Sequence, residues 1–192
     1  MSFAMQQAIL DFWFGPPENA VYGTTREVWF REDAAFDAEI RLRFGTVLET
    51  ALRGGLDDWT AARAVLARVL VLDQFTRNCY RDSARAFAGD AQALAAATAA
   101  VDQGQDRELN PVERWFLYMP FEHSESAAVQ TRSLALFTQL RDETGLADPL
   151  VWAEKHAVVI RRFGRYPHRN ALLGRESTAE EIAFLGTQGS NF

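Results

Sequence analysis

Residues 36–55 read Phe36-Asp37-Ala38-Glu39-Ile40-Arg41-Leu42-Arg43-Phe44-Gly45-Thr46-Val47-Leu48-Glu49-Thr50-Ala51-Leu52-Arg53-Gly54-Gly55. Phe36, Ile40, Phe44, Val47 and Ala51 stand four, four, three and four apart. That spacing stacks apolar side chains along one face of a helix, whereas a strand needs alternation at every second residue. Gly54-Gly55 closes the segment, because glycine readily leaves the helical conformation at a C-terminus.

The same periodicity recurs on both sides. Residues 3–13 read as a first helix that stops before Gly15-Pro16-Pro17. Residues 59–78 read as another, with Leu66, Val69, Leu70 and Asp73 on one face. Residues 90–103 are Ala-rich and strongly helix-forming. Asn110-Pro111 with Glu113 supplies a cap, a first-turn proline and an acid at the third position, so a helix begins there and is expected to halt at Pro120. Further helices are expected over 125–143 and from Asp148-Pro149 to about Phe163. Ser177-Thr178-Ala179-Glu180 fits a capping box opening a last helix through Leu185, after which the tail 186–192 is expected to fray. No Asn-Gly or Asp-Gly hairpin turn and no run of alternating β-branched residues breaks this pattern. The expectation is a single all-α domain over residues 1–192, about eight helices packed as helical hairpins.

Composition limits the functions such a domain can serve. With 192 residues and 48% apolar content the chain can bury a core without staples. Cys79 is its single cysteine, which excludes an intramolecular disulfide and fits a reducing compartment, so a cytoplasmic location is expected. No apolar run approaches the ~20 residues of a membrane span. Net charge is −6, a poor balance for indiscriminate nucleic-acid binding. Lys155 is the only lysine among 20 basic residues. Arginine is the side chain suited to bidentate anion contacts and to buried ion pairs. The aromatic runs Phe12-Trp13-Phe14, Trp29-Phe30 and Trp115-Phe116 read as core.

Three polar segments interrupt this plain pattern. In Leu72-Asp73-Gln74-Phe75-Thr76-Arg77-Asn78, Asp73 continues an apolar face and Arg77 lies one turn on, within pairing reach. Glu122-His123-Ser124-Glu125 sets two carboxylates, an imidazole and a hydroxyl beside Pro120. Capping accounts for Ser124 and Glu125, with Glu125 in the first turn of the next helix, but leaves Glu122 and His123 as a candidate acid–base pair. The third segment is Arg161-Arg162-Phe163-Gly164-Arg165-Tyr166-Pro167-His168-Arg169-Asn170, followed by Arg175. From 161 to 175 it holds five arginines, one histidine and no acid. Arginine, histidine and asparagine side chains with turn amides suit a phosphate or a carboxylate. The bland alternative is that these arginines tie down acids such as Asp73, Glu122 and Glu125. His156 shares a stripe with Trp152, Val159 and Phe163, where a histidine is ordinarily a hydrogen-bonded core residue. No His-Glu-x-x-His, no Glu-x-x-His and no cysteine pair argues for a metal, so neither metal nor cofactor is expected.

Several longer strings carry a resemblance. They are Asp11-Phe12-Trp13-Phe14-Gly15, Leu72-Asp73-Gln74-Phe75-Thr76-Arg77-Asn78 with Tyr80-Arg81, Ala84-Arg85-Ala86-Phe87-Ala88, Phe116-Leu117-Tyr118-Met119-Pro120, Glu122-His123-Ser124-Glu125 and the Arg-Phe-Gly-Arg-Tyr-Pro-His-Arg-Asn run ending at Asn170. In this order the chain resembles family 924 of the domains of unknown function. The resemblance implies a bacterial-type protein with a helical fold similar to tetratricopeptide repeats. It implies no particular activity, substrate or cofactor. The roughly 34-residue period of such repeats is not visible here.

Taken together, the residues predict an inter-helix pocket for a small anionic ligand. Asp73, Arg77, Asn78, His156, Arg161, Arg165, Arg169 and Asn170 are the expected binding residues. Glu122, His123 and His168 are the expected catalytic ones, in hydrolase- or lyase-type acid–base chemistry. The alternative is a helical scaffold that binds a protein or peptide partner without catalysis.

Overall fold

A computed structural model describes residues 3–187. The last five residues of the tail expected to fray, 188–192, lie outside the described residues. Among those described there is no strand, and the protein is all-α. Its helices are α1 (Phe3–Phe14), α2 (Ala34–Leu52), α3 (62–79), α4 (Asp90–Asp102), α5 (Pro111–Glu122), α6 (Ala127–Thr144), α7 (Asp148–Phe163) and α8 (Ala179–Leu185). No helix among the described residues is long and apolar enough to cross a membrane. The described residues form two compact units: 3–81 with 85–120, and 82–84 with 121–187.

In the first unit α3 packs against α1, α2 and α4. Most of the stripe read from the sequence is buried: Ile40, Phe44, Val47 and Ala51 of α2 are each no more than 2% exposed, while Phe36 at its start is half-buried. Aromatic side chains fill the space between helices. Trp13 stacks on Trp29 at 5.9 Å, and Phe116 meets Trp29 edge-on at 4.7 Å. Each such ring removes a large apolar area from water, the main favourable contribution to folding.

One feature of α3 has no counterpart in the periodicity. Leu70–Phe75 form a π-helical turn between two α-helical stretches. Side chains take up the carbonyls there: Thr76 Oγ1 donates to the Leu72 carbonyl at 2.8 Å, and Arg77 Nη1 to that of Asp73 at 2.7 Å. Gly89 lies so close that a Cβ on it would stand 2.1 Å from the Leu72 oxygen.

Capping sets the ends of α5, and differs from the sequence reading at its far end. Asn110 Oδ1 accepts from the amides of Val112 and Glu113 at 3.0 Å each, while Glu113 Oε2 accepts from the Asn110 amide. Pro120 does not halt the helix, which continues to Glu122. A proline in the last turn costs one internal hydrogen bond, and the carbonyls beyond it are open at any helix end. Gln130 of α6 meets two of them: its Nε2 donates to the Glu122 and Ser124 carbonyls at 2.7 Å each.

The second unit is built on the hairpin of α6 and α7, joined by Gly145 in the left-handed conformation. Helix α6 begins at Ala127, two residues later than the spacing suggested, so Glu125 is outside its first turn. The buried register of α7 is Leu150, Ala153, His156, Ala157 and Ile160. Trp152, expected on that stripe, is 44% exposed instead, with the Lys155 ammonium 3.9 Å over its ring. The capping box of α8 is also shifted by one residue: Thr178 caps with Glu181, in place of Ser177 with Glu180.

Candidate functional site

The Asp73 segment belongs to the first unit, and its polar groups are satisfied there. Asp73 is fully buried, as the apolar face required, and Arg77 Nη1 reaches its Oδ1 at 3.3 Å. The stronger pairing is with Asp90, which takes both Arg77 terminal nitrogens at 2.8 and 3.1 Å. Asn78 Nδ2 donates to Asp37 at 2.7 Å, and Arg81 binds the same carboxylate. These ion pairs join α2, α3 and α4, so Asp73, Arg77 and Asn78 tie one unit's helices together.

The arginine-rich segment divides into a clasp, the exposed Arg161 and Arg162, and the buried Arg169. Arg165 forks onto Glu181 at 2.6 and 2.8 Å and also donates to the Glu176 carbonyl. This pairing and the Thr178 amide hold the Glu181 carboxyl down to about 2. Arg175 forks onto Glu125 at 2.7 and 3.0 Å. Asn170 donates to Ser177 and Glu181 and accepts from Arg175. Arg161 is exposed on α7. A surface depression of about 390 Å³ is lined by Arg162, Phe163, Arg165, Thr178, Glu180 and Glu181, and the Arg162–Glu180 and Arg165–Glu181 pairs form its walls. The clasp fixes the short 3₁₀ turn Pro167–Arg169, which carries His168 and Arg169.

Around Tyr166 the second unit gathers further polar side chains. Tyr166 is fully buried; its hydroxyl donates to the Glu122 carbonyl and accepts from Gln130 Nε2 at 2.9 Å. Its ring centroid lies 5.6 Å from that of His156 and 5.6 Å from that of His168. His123 and His156 are 6.1 Å apart by ring centroids. The Arg169 guanidinium, on a residue only 7% exposed, stands 4.6 Å over the Tyr166 ring. All three histidines of the chain therefore meet in one place, with Glu122 buried among them.

The electrostatics follow from that crowding. Burial first, then the neighbouring His123, push His156 down to about 3, so its imidazole is neutral at pH 7. His156 Nδ1 lies 2.8 Å from the Trp152 carbonyl. A carbonyl only accepts, so Nδ1 carries the proton and Nε2 keeps the lone pair. The Glu125 carboxyl is burdened by desolvation, yet Arg175 and the Tyr166 amide hold it below the usual range. Burial pushes the Tyr166 phenol up, so it stays a hydrogen-bond donor.

Of the residues expected at a site, Glu122, His123, His156, His168 and Arg169 are brought together, whereas Arg165 and Asn170 serve in the clasp. Two contributors were not among the expected site residues. Tyr166 is the hub, and Gln130 fixes the chain at Glu122. A glutamine inside an amphipathic helix looks like any polar position, and only its burial at 3% exposure marks it.

Comparison with known proteins gives the chain relatives of unknown function. No curated protein matches it. Its fold is similar to that of a protein of unknown function, ATU0120, from Agrobacterium tumefaciens, with 39% identity and a TM-score of 0.84 over 95% of this chain and 97% of that one. The sequence profile of DUF924, a bacterial protein family of unknown function, matches residues 9–189. A match of that extent means that the chain belongs to the DUF924 family.

Proposed function

We propose that the second unit binds a small anionic ligand, bearing a phosphate or a carboxylate, at the cluster of Arg169, His168, His123 and His156. The observation that carries the proposal is the convergence of all three histidines and a buried arginine around Tyr166. A guanidinium stays cationic at any physiological pH, and the His123 and His168 imidazoles add donors directed by their ring plane, while the one N–H of His156 is taken by the Trp152 carbonyl. Stacking on Tyr166 orients the Arg169 fork before a ligand arrives, which lowers the entropic cost of binding. Arg165 and Asn170 would act indirectly, by holding the turn that carries His168 and Arg169. Glu122 and His123 would move the proton in a hydrolase- or lyase-type reaction on the bound anion. The cytoplasm suits this reading, since the lone thiol, Cys79, remains reduced there.

The test is a thermal-shift series with inorganic phosphate, phosphorylated metabolites and carboxylates. A ligand at 100 times its Kd should add about 2.7 kcal/mol, a rise of roughly 5–10 °C for a chain of this size. Arg169→Met and His168→Ala should lose the rise. Arg165→Ala should melt lower yet keep it. No rise for the wild-type protein with any anion would sink the proposal.

A second reading has its own observation. Val151, Trp152 and Val158 of α7 are 48%, 44% and 53% exposed, an apolar strip on an otherwise polar helix face. A tetratricopeptide-like scaffold could offer such a strip to a protein or peptide partner without catalysis. It predicts that Trp152→Ala abolishes partner capture and leaves the anion response untouched.

A further inference from the structure

We propose that Glu122, His123 and His156 hold a divalent first-row transition-metal ion, of the zinc or ferrous class, through one carboxylate oxygen and two imidazole nitrogens. One ligand atom from each of the three lies within 4.8 Å of the others. Ligand atoms around a tetrahedral zinc stand about 3.3 Å apart, given bonds of roughly 2.0–2.2 Å. The three side chains therefore need to close by only about 1.5 Å, within rotamer adjustment. Glu122 is the last residue of α5 and His123 the first beyond it.

The surroundings prepare these groups for a metal. The proton of His156 is fixed on Nδ1 by the Trp152 carbonyl, which leaves the Nε2 lone pair for a metal. A backbone carbonyl behind a ligating histidine sets its tautomer and raises its basicity. Gln130 donates to the Glu122 and Ser124 carbonyls, and the Tyr166 hydroxyl donates to that of Glu122. The backbone that bears two of the three ligands is thus held from outside. Two imidazoles with one carboxylate select a borderline ion over magnesium or calcium, which take oxygen ligands. Three protein ligands leave a coordination position open, the arrangement of catalytic rather than structural sites. With Arg169 close enough to act on His156, the metal-loaded cluster would be strongly positive, and the open position would favour an anion.

This inference deepens the anion-binding reading and rests on it only for what fills the open position. With a metal bound, Glu122 and His123 act as its ligands in place of proton carriers. The experiment uses the full chain, stripped with a chelator, and Zn²⁺ or Co²⁺ alone in anion-poor buffer. The expected result is one ion per chain by equilibrium dialysis, a visible Co²⁺ d–d band of nitrogen–oxygen coordination, and a melting rise of roughly 5–10 °C at 100 times Kd. Glu122→Gln and His156→Gln should each weaken binding by more than the roughly 10–100-fold that loss of an outer-shell partner costs. Should either variant fail to melt cooperatively, His123→Ala, at a half-buried position past the helix end, takes its place. Binding below one equivalent at excess metal, or binding unchanged in the variants, would overturn the proposal. Arg169→Met separates the two readings: it should keep the metal and lose the phosphate response. A protein that binds phosphate but no metal refutes only the metal site, and one that binds metal but no anion refutes only the anion reading.

Discussion

At the residue scale, single side chains decide more than their chemical class suggests. Asp73 and Glu122 are both buried acids at helix positions that looked apolar or broken, yet Asp73 is tied into an inter-helix ion-pair set and Glu122 faces histidines. Gly89 is required by space: any side chain meets the Leu72 carbonyl. Gly89→Ala should therefore destabilise the protein by about 1–3 kcal/mol, as overpacking does. Urea denaturation should show a lower midpoint with an unchanged slope. Glu181 gives a pH prediction. Its carboxyl is held near 2 in the folded protein against 4.5 for the free group. The folded state thus binds fewer protons than the unfolded one between these values. The stability it supplies is complete above pH 4.5 and is lost as pH falls through about 2. Glu181→Gln should flatten that acid limb of the melting curve, and a limb identical to wild type would count against the pairing with Arg165.

At the element scale, caps and helix ends separate what a short window of sequence shows from what it does not. Asn110 and Glu113 were readable because both partners of the box lie within four residues. Asn110→Ala should cost about 1 kcal/mol. A loss below a few tenths in chemical denaturation would mean that the box is not what starts α5. The end of α5 was misread, since Gln130, which meets the carbonyls past Pro120, comes from the next helix. Gln130→Leu keeps the volume and removes those donors. Leaving the Ser124 carbonyl unmet, and the Glu122 carbonyl to the Tyr166 hydroxyl alone, should cost about 1–3 kcal/mol, measurable by thermal unfolding. The π-helical turn in α3 was equally hidden, because one inserted residue is too small a change in phase to appear in a stripe of apolar positions.

At the scale of the whole molecule, the chain forms two compact units whose probes differ. Trp13, Trp29, Trp59 and Trp115 belong to the first, and Trp152 to the second, where it is already 44% exposed. Tryptophan fluorescence should report mainly the first unit's unfolding. Cys79 is in that unit, 7% exposed, with burial pushing its thiol up. Its labelling by a thiol reagent should be slow under native conditions and should accelerate along the fluorescence transition. Rapid labelling of the folded protein would show that α3 opens locally.

The sequence by itself determined the helical class, the buried stripe of α2, the aromatic core apart from Phe30, which is 52% exposed, the cap of α5 and the three segments where polar groups concentrate. Each of these rests on relations within a few residues, where helical geometry converts spacing directly into position. Tertiary structure alone decided which of the polar groups meet. His123, His156 and His168 come from a helix end, a helix interior and a 3₁₀ turn. Arg165 and Arg169 are four residues apart, yet the first is taken by Glu181 and the second stacks on buried Tyr166. Such choices depend on the packing of α6 against α7 and on the caps that end each helix. No local spacing encodes them, because the partners are brought together only when the apolar faces close.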